Sequence, residues 1–196
     1  TPDPAMIDMF NAMVDEMFEY GRFILKEKRK NPANDLLSAI ANAEIKGEKL
    51  SDEFLDGSWL LIIFAGNDTT RNTMSGGIKL LHENQEQKEM LIDDLELLPN
   101  FINETVRCVS PVIHMRRTSL EETEINGQKI GPYEKIALWY GAANRDPSVF
   151  EDPNKFNILR DNADKHLAFG IGRHTCIGKP VCLLYTSDAA DEVQCV

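Results

Sequence analysis

Apolar residues recur at Met6, Met9, Phe10, Met13, Met17, Phe18, Ile24 and Leu25. That is the spacing of one helix face, and it predicts an amphipathic helix over 5–28. Four of the seven methionines lie in this stretch, where core packing is favoured over a pliable pocket wall. Asn34 stands where the cap of a short helix through 43 belongs, and Gly47 punctuates its exit. Ser51 caps the next helix, with Asp52 and Glu53 in its first turn, where they complement the helix dipole. This helix is predicted to run to about residue 82, and its apolar stretch 59–65 reads as a buried segment. The glycine at 66 costs about 1 kcal/mol relative to alanine in a helix, so it has a packing or functional reason. Further helices are predicted over 85–93 and, with Pro99 in the first turn, up to about 109. From residue 111 the texture changes. A hairpin over 123–130 around Asn126-Gly127 and a strand over 135–139 are predicted, and a plain buried strand is one of two readings for Val112-Ile113. An ordered meander over 144–160 leads into the glycine-rich loop Phe169-Gly170-Ile171-Gly172-Arg173-His174-Thr175-Cys176-Ile177-Gly178. The pattern holds no internal repeat and describes a mainly α chain with small β-sheets.

Composition narrows the function classes. The formal net charge of −11 argues against nucleic-acid binding, whose leading affinity term needs a basic surface, and against docking on anionic membranes. No segment reaches the roughly 18 apolar residues of a membrane span, and the first residues lack the pattern of a signal peptide. Cys108, Cys176, Cys182 and Cys195 form no disulfide framework, which implies a reducing, cytoplasmic compartment.

Three constellations carry candidate chemistry. Cys176 sits among Gly170, Gly172 and Gly178, which let backbone approach a flat group closely, and a sulfur held rigidly there suits a metal. The alternatives are an inert cysteine in a glycine-rich turn, or a phosphate loop, which lacks its third glycine and its βαβ context. Glu104 and Arg107 share a helix face at i, i+3 and can pair. Asp68-Thr69-Thr70 is either a proton relay or a threonine pair bonding back to helix carbonyls. His174 by itself reads as a surface histidine.

In full, Phe169-x-x-Gly172-x-His174-x-Cys176-x-Gly178 resembles the haem-binding signature of the cytochrome P-450 family, whose iron is held by a cysteine thiolate. Glu104-Thr105-Val106-Arg107 and Ala65-Gly66-Asn67-Asp68-Thr69-Thr70 precede it in the family's order. The resemblance implies the C-terminal half of that fold, with a long central helix and a haem-binding cysteine loop. It makes 1–181 a partial catalytic domain and implies heme b (iron protoporphyrin IX), with Cys176 the ligand to its iron. Phe169, Gly170, Gly178 and Ala65 would border the haem. His174 and Arg117 would hold its propionates, with Arg116 the competitor because neighbouring strand residues face opposite ways. Asp68 and Thr69 would deliver the protons that oxygen scission needs. Glu104, Arg107 and Arg160 would form a buried structural triad, and Val112 and Ile113 would pass the substrate pocket.

The implied activity is insertion of one atom of dioxygen into a C–H bond of a small apolar substrate, such as an alkane, fatty acid, terpene or steroid. Electrons would come from NAD(P)H through a reductase and a ferredoxin, with Lys165, Arg173 and Lys179 part of the docking patch. Asn67-Asp68-Thr69-Thr70-Arg71-Asn72, Met115-Arg116-Arg117-Thr118 and Asn144-Arg145-Asp146 resemble terminal hydroxylases of the soluble bacterial branch. Phe156-Asn157-Ile158-Leu159-Arg160 resembles steroid-oxidising relatives. A haem-thiolate peroxygenase, dehydratase or isomerase would share the cysteine loop, and retention of Asp68 and Thr69 argues against them. A third expectation is that this chain alone is too incomplete to hold haem. Beyond Val181, Cys182-Leu183-Leu184-Tyr185-Thr186-Ser187-Asp188-Ala189-Ala190-Asp191-Glu192 resembles a translated sequencing adapter, so 182–196 is expected to be non-native.

Overall fold

The computed structural model describes residues 3–183. Cys195 and most of the tail expected to be non-native lie outside the described residues. The chain divides into two compact units, 1–67 and 68–196.

In the first unit, Asp3 accepts a hydrogen bond from the Ala5 amide and starts α1 (Pro4–Lys30), which ends on Lys28, Arg29 and Lys30. Burial is confined to one stripe of its second half. Gly21 and Leu25 face inward, whereas Met6, Met9, Phe10 and Met13 are each 60–64% exposed. The methionine stripe is therefore not core, contrary to its periodicity, because the packing partners meet the later turns alone. Those partners are α2 (Leu36–Asn42) and the start of α3 (Asp52–Glu83), which with α1 enclose Leu25, Ala41, Leu55 and Trp59. Gly21 permits the contact, since a Cβ there would lie 2.5 Å from the Trp59 ring. Trp59 also donates from Nε1 to the Met17 carbonyl at 3.0 Å. Asp35 rather than Asn34 caps α2, accepting from the Ser38 amide at 2.8 Å. Ser51 caps α3 as predicted, its hydroxyl accepting from the Phe54 amide. Within 59–65 only Trp59 is buried, and Leu61 and Phe64 are 62% and 75% exposed. A continuous apolar run on a helix points in every direction, so a single neighbour covers one stripe of it. A two-residue hairpin, β1 (Glu44–Ile45) with β2 (Glu48–Lys49), joins α2 to α3.

The second unit is built on the later turns of α3, on α4 (Gln85–Asp93) and on α5 (Leu98–Val109). Its core is Leu81, Leu91, Phe101, Ile102, Val106, Phe156, Ile158 and Ala168, with Phe101 and Phe156 edge to face at 6.3 Å. The predicted ends of α4 and α5 agree with the structure to within a residue. Gly76 and Gly77 bring α3 onto α5. A Cβ at Gly76 would lie 2.5 Å from Val109 Cγ2, and one at Gly77 would lie 3.1 Å from Thr105 Cγ2.

Ser110 ends α5 in the left-handed conformation, at φ 44°. The next residues bend instead of forming a plain buried strand at Val112-Ile113, and Ile113 is 60% exposed. β3 (His114–Thr118) follows and pairs antiparallel with β6 (Lys135–Trp139). β4 (Thr123–Ile125) and β5 (Gln128–Ile130) form the predicted hairpin. Its turn residues Asn126 and Gly127 both have positive φ, as a tight two-residue turn requires. A single turn, α6 (Tyr140–Ala143), opens the meander.

The glycine contact sets an expectation. Gly76→Ala should destabilise the protein by roughly 1–2 kcal/mol, because overpacking outweighs alanine's better helix propensity. Combining it with Val109→Ala should recover most of its own loss in chemical denaturation. A gain in stability from Gly76→Ala alone would contradict the packing described.

Candidate functional site

The most buried chemistry lies on α5. Glu104 and Arg107 have no exposed side-chain surface, and Arg160 is nearly as deep. Arg107 donates from Nε to Glu104 Oε2 at 2.7 Å and from Nη2 to Oε1 at 2.8 Å. Arg160 donates from Nε to both oxygens, at 3.2 and 3.1 Å. The i, i+3 spacing aligns the first pair, and the meander delivers the second guanidinium. The remaining N–H groups find backbone carbonyls. Arg107 donates to those of Asn144, Pro153 and Lys155, and Arg160 to those of Glu151, Asp152 and Lys155. Burial works against the Arg107 charge, but the hydrogen bonds and charge of Glu104 outweigh it and hold its pKa above the ordinary value.

Two further side chains fasten the meander. Gln87 of α4 donates to the Phe156 carbonyl and accepts from the Ile158 amide, each at 2.8 Å. Asn100 of α5 donates to the carbonyls of Ile158 and Arg160. Neither stands out in the sequence. Nothing in their spacing marks them, because an amide on a helix surface is ordinary. Asn144 was singled out only within a resemblance, yet it is fully buried.

The cysteine loop begins where this scaffold ends. Leu167 donates its amide to Asn144 Oδ1 at 2.7 Å. His166 packs its ring at 5.5 Å from that of Phe169, whose face carries Lys179 Nζ at 5.6 Å. Gly170 and Gly172 take positive φ values of 70° and 75°, which only glycine adopts without strain. The Cys176 amide then closes the loop on the Phe169 carbonyl at 2.9 Å. Gly178 follows so closely that a Cβ there would lie 3.7 Å from Cys176 Sγ. The chain turns helical again over 179–183.

The thiols are not equivalent. Cys108 accepts from Arg107 Nη2 at 3.1 Å, and burial followed by the Glu104 charge pushes its thiol up to about 11, which disfavours a thiolate. Cys176 is a free, exposed thiol between Ile171 and Ile177, which are 77% and 87% exposed. His174 is exposed in the same loop. On β3, Arg117 lies opposite Ile136 and Met115 opposite Leu138, so these four share a face. Arg116 shares the other face with His114 and Trp139, whose rings stack at 4.8 Å. Of the two candidate arginines, Arg117 is the one on the apolar face.

A soft sulfur ligand, apolar exposed flanks and basic groups suited to carboxylates fit an iron macrocycle with propionate arms. Asp68 and Thr69 follow Ala65 along α3; Ala65 and Asp68 are exposed and Thr69 is half-buried. Gly66 has open space where a side chain would begin. Val112 is half-buried. The structure thus joins Glu104, Arg107 and Arg160 in one network. Phe169, Gly170, His174, Cys176 and Gly178 share one loop.

The chain as a whole is similar to known proteins. The family model for cytochrome P450 matches residues 4–184. Linalool 8-monooxygenase of Pseudomonas putida is 39% identical over 85% of this chain and 41% of its own length. Steroid C26-monooxygenase of Mycolicibacterium smegmatis is 39% identical over 91% of this chain and 43% of its own. The chain therefore spans less than half the length of these two relatives. The crystal structure of CYP109E1 from Bacillus megaterium with corticosterone superposes with a TM-score of 0.89 at 34% identity, covering 98% of this chain and 52% of that one. Among the described residues, no helix is long and apolar enough to cross a membrane.

Two expectations follow from the buried groups. Glu104→Gln strands two guanidinium groups without a carboxylate and should cost about 3–5 kcal/mol in urea unfolding. Arg160→Leu leaves a balanced pair and should cost less, and the reverse order would overturn this account of the network. His166 accepts from the Ala168 amide at Nδ1, and burial, with Lys179, lowers its pKa to about 4. The unfolded chain takes up that proton near pH 6.5 and the folded one near 4, so stability should fall as pH drops through this window. The loss should be on the order of 3 kcal/mol. His166→Gln should remove that part of the pH dependence.

Proposed function

Because this chain belongs to the cytochrome P450 family, we propose that it is the haem-binding portion of a monooxygenase that inserts one atom of dioxygen into a C–H bond of an apolar substrate. One observation carries the reading. The loop from Phe169 to Gly178 presents an exposed free thiol after two positive-φ glycines and between apolar flanks, fastened at its root to a buried network.

In this reading Cys176 Sγ would be the ligand to heme b, and Phe169, Gly170 and Gly178 would border it. Arg117 and His174 would pair with its propionates. Bound haem supplies the electron transfer and oxygen-atom insertion that side chains cannot. The protein's share is to hold the sulfur fixed and to move protons. Asp68 and Thr69, a carboxylate and a hydroxyl in succession after the small Ala65, suit proton delivery. The Glu104–Arg107–Arg160 network keeps the cysteine side rigid. Val112 and Ile113 line the path of the substrate.

Relatives named for linalool and for steroids, and a solved relative holding corticosterone, support an apolar substrate. Electrons are assigned to a ferredoxin and its NAD(P)H-dependent reductase, with Lys165, Arg173 and Lys179 on the docking side. Cys108 and Cys176 are free thiols, which suits a cytoplasmic enzyme.

The test uses the full-length protein. Its reduced form should give a red-shifted thiolate band in the carbon-monoxide difference spectrum, and Cys176→Ser should abolish that band. A full-length protein without the band, or a band unchanged in Cys176→Ser, would sink the assignment. Product formed only with peroxide, and none with ferredoxin, reductase and NADH, would move the enzyme to the peroxygenases.

A further inference from the structure

We propose that Asn144 is a positioning residue that carries the geometry of the buried ion network to the cysteine loop; this rests on the haem-thiolate reading of Cys176. Asn144 is fully buried, and each of its polar groups is used. Its amide N–H donates to the Tyr140 carbonyl at 2.8 Å. Its own carbonyl accepts from Arg107 Nη1 at 2.8 Å. Its side chain donates from Nδ2 to Ser110 Oγ at 2.8 Å and accepts at Oδ1 from the Leu167 amide at 2.7 Å.

The orientation of the side-chain amide is determined by its neighbours. The Ser110 hydroxyl spends its single proton on the Arg107 carbonyl at 2.9 Å, so toward Asn144 it has only lone pairs to offer. Nδ2 must therefore face Ser110, which leaves Oδ1 for Leu167. A serine hydroxyl carries its donor and its acceptor on one short-armed atom and cannot span Ser110 and Leu167 at once. Aspartate lacks the donor, and leucine lacks both.

From Leu167 the linkage continues through backbone. Its carbonyl accepts from the Gly170 amide at 2.9 Å, and Phe169, between them, accepts from the Cys176 amide at 2.9 Å. A guanidinium fixed by Glu104 is thus connected through Asn144 to the turn that presents the sulfur. The sequence places these residues far apart, and the fold makes them consecutive links.

The experiment uses the haem-loaded full-length protein with three readouts: the carbon-monoxide thiolate band, the ferric–ferrous midpoint potential and amide exchange at Leu167. In the parent, Leu167 should exchange as slowly as the core of α5, at Val106; fast exchange there overturns the proposal with no variant needed. Asn144→Ser leaves the Leu167 amide without its acceptor. It should raise exchange at Leu167 at least about tenfold, shift the potential and convert part of the thiolate band. Asn144→Asp retains the acceptor and should restore the band and the protection of Leu167. Ser110→Ala removes the other partner only, and should leave the loop readouts at the parent values even where it lowers stability. Asn144→Ser with the parent potential and protection, or Ser110→Ala matching Asn144→Ser, would show that Asn144 merely packs. A parent protein without a thiolate band would defeat the haem reading itself, a failure separate from that of the Asn144 link.

Discussion

Two guanidinium groups share one carboxylate in a space closed to water, and the second unit is arranged around that imbalance. Glu104 neutralises one positive charge. The excess is met by carbonyl oxygens of Asn144, Glu151, Asp152, Pro153 and Lys155 turned toward Arg107 and Arg160. A buried charge is costly unless it is paired and hydrogen-bonded, so the meander has little freedom in where those carbonyls go. Its irregular path, including the positive φ of Asp152, follows from satisfying cations rather than from any repeating backbone pattern. Arg107 also lies over the ring of Phe150 at 5.2 Å, which ties the charged centre to the apolar packing around it.

This constraint divides the labour within the unit. The helices α3 and α5 meet through glycines and bury a continuous apolar seam. The network fixes the meander to α5, and Gln87 and Asn100 fasten its far end. Only then does the chain enter the cysteine loop, whose tip is exposed. The loop thus combines a base fastened by hydrogen bonds with an open tip.

Much of this is legible in the sequence. Helix and strand bounds followed from periodicity, and the hairpin from Asn126-Gly127, because these signals are local. The glycine-rich cysteine loop and the acid–arginine pair were legible as motifs, since fixed residue types at fixed spacings survive without knowledge of the fold. Burial was read less well. The methionine face of α1 and the run after Trp59 are apolar but exposed, and the bend at Val112-Ile113 replaces a strand. Hydrophobicity states what a residue tolerates, whereas burial depends on which neighbour arrives. Asn144, Gln87 and Asn100 were missed as structural fasteners for the same reason: their partners lie far away in sequence.

Gln87 illustrates a wider point. Its amide offers one donor and one acceptor to the Phe156 carbonyl and the Ile158 amide, the two groups that a neighbouring strand would engage at that spacing. A single side chain thus stands in for a strand. The meander's order is consequently stored at a few isolated positions and not in a repeating texture. Substitutions between those points are free to accumulate, while a change at any one of them alters the path of the whole segment.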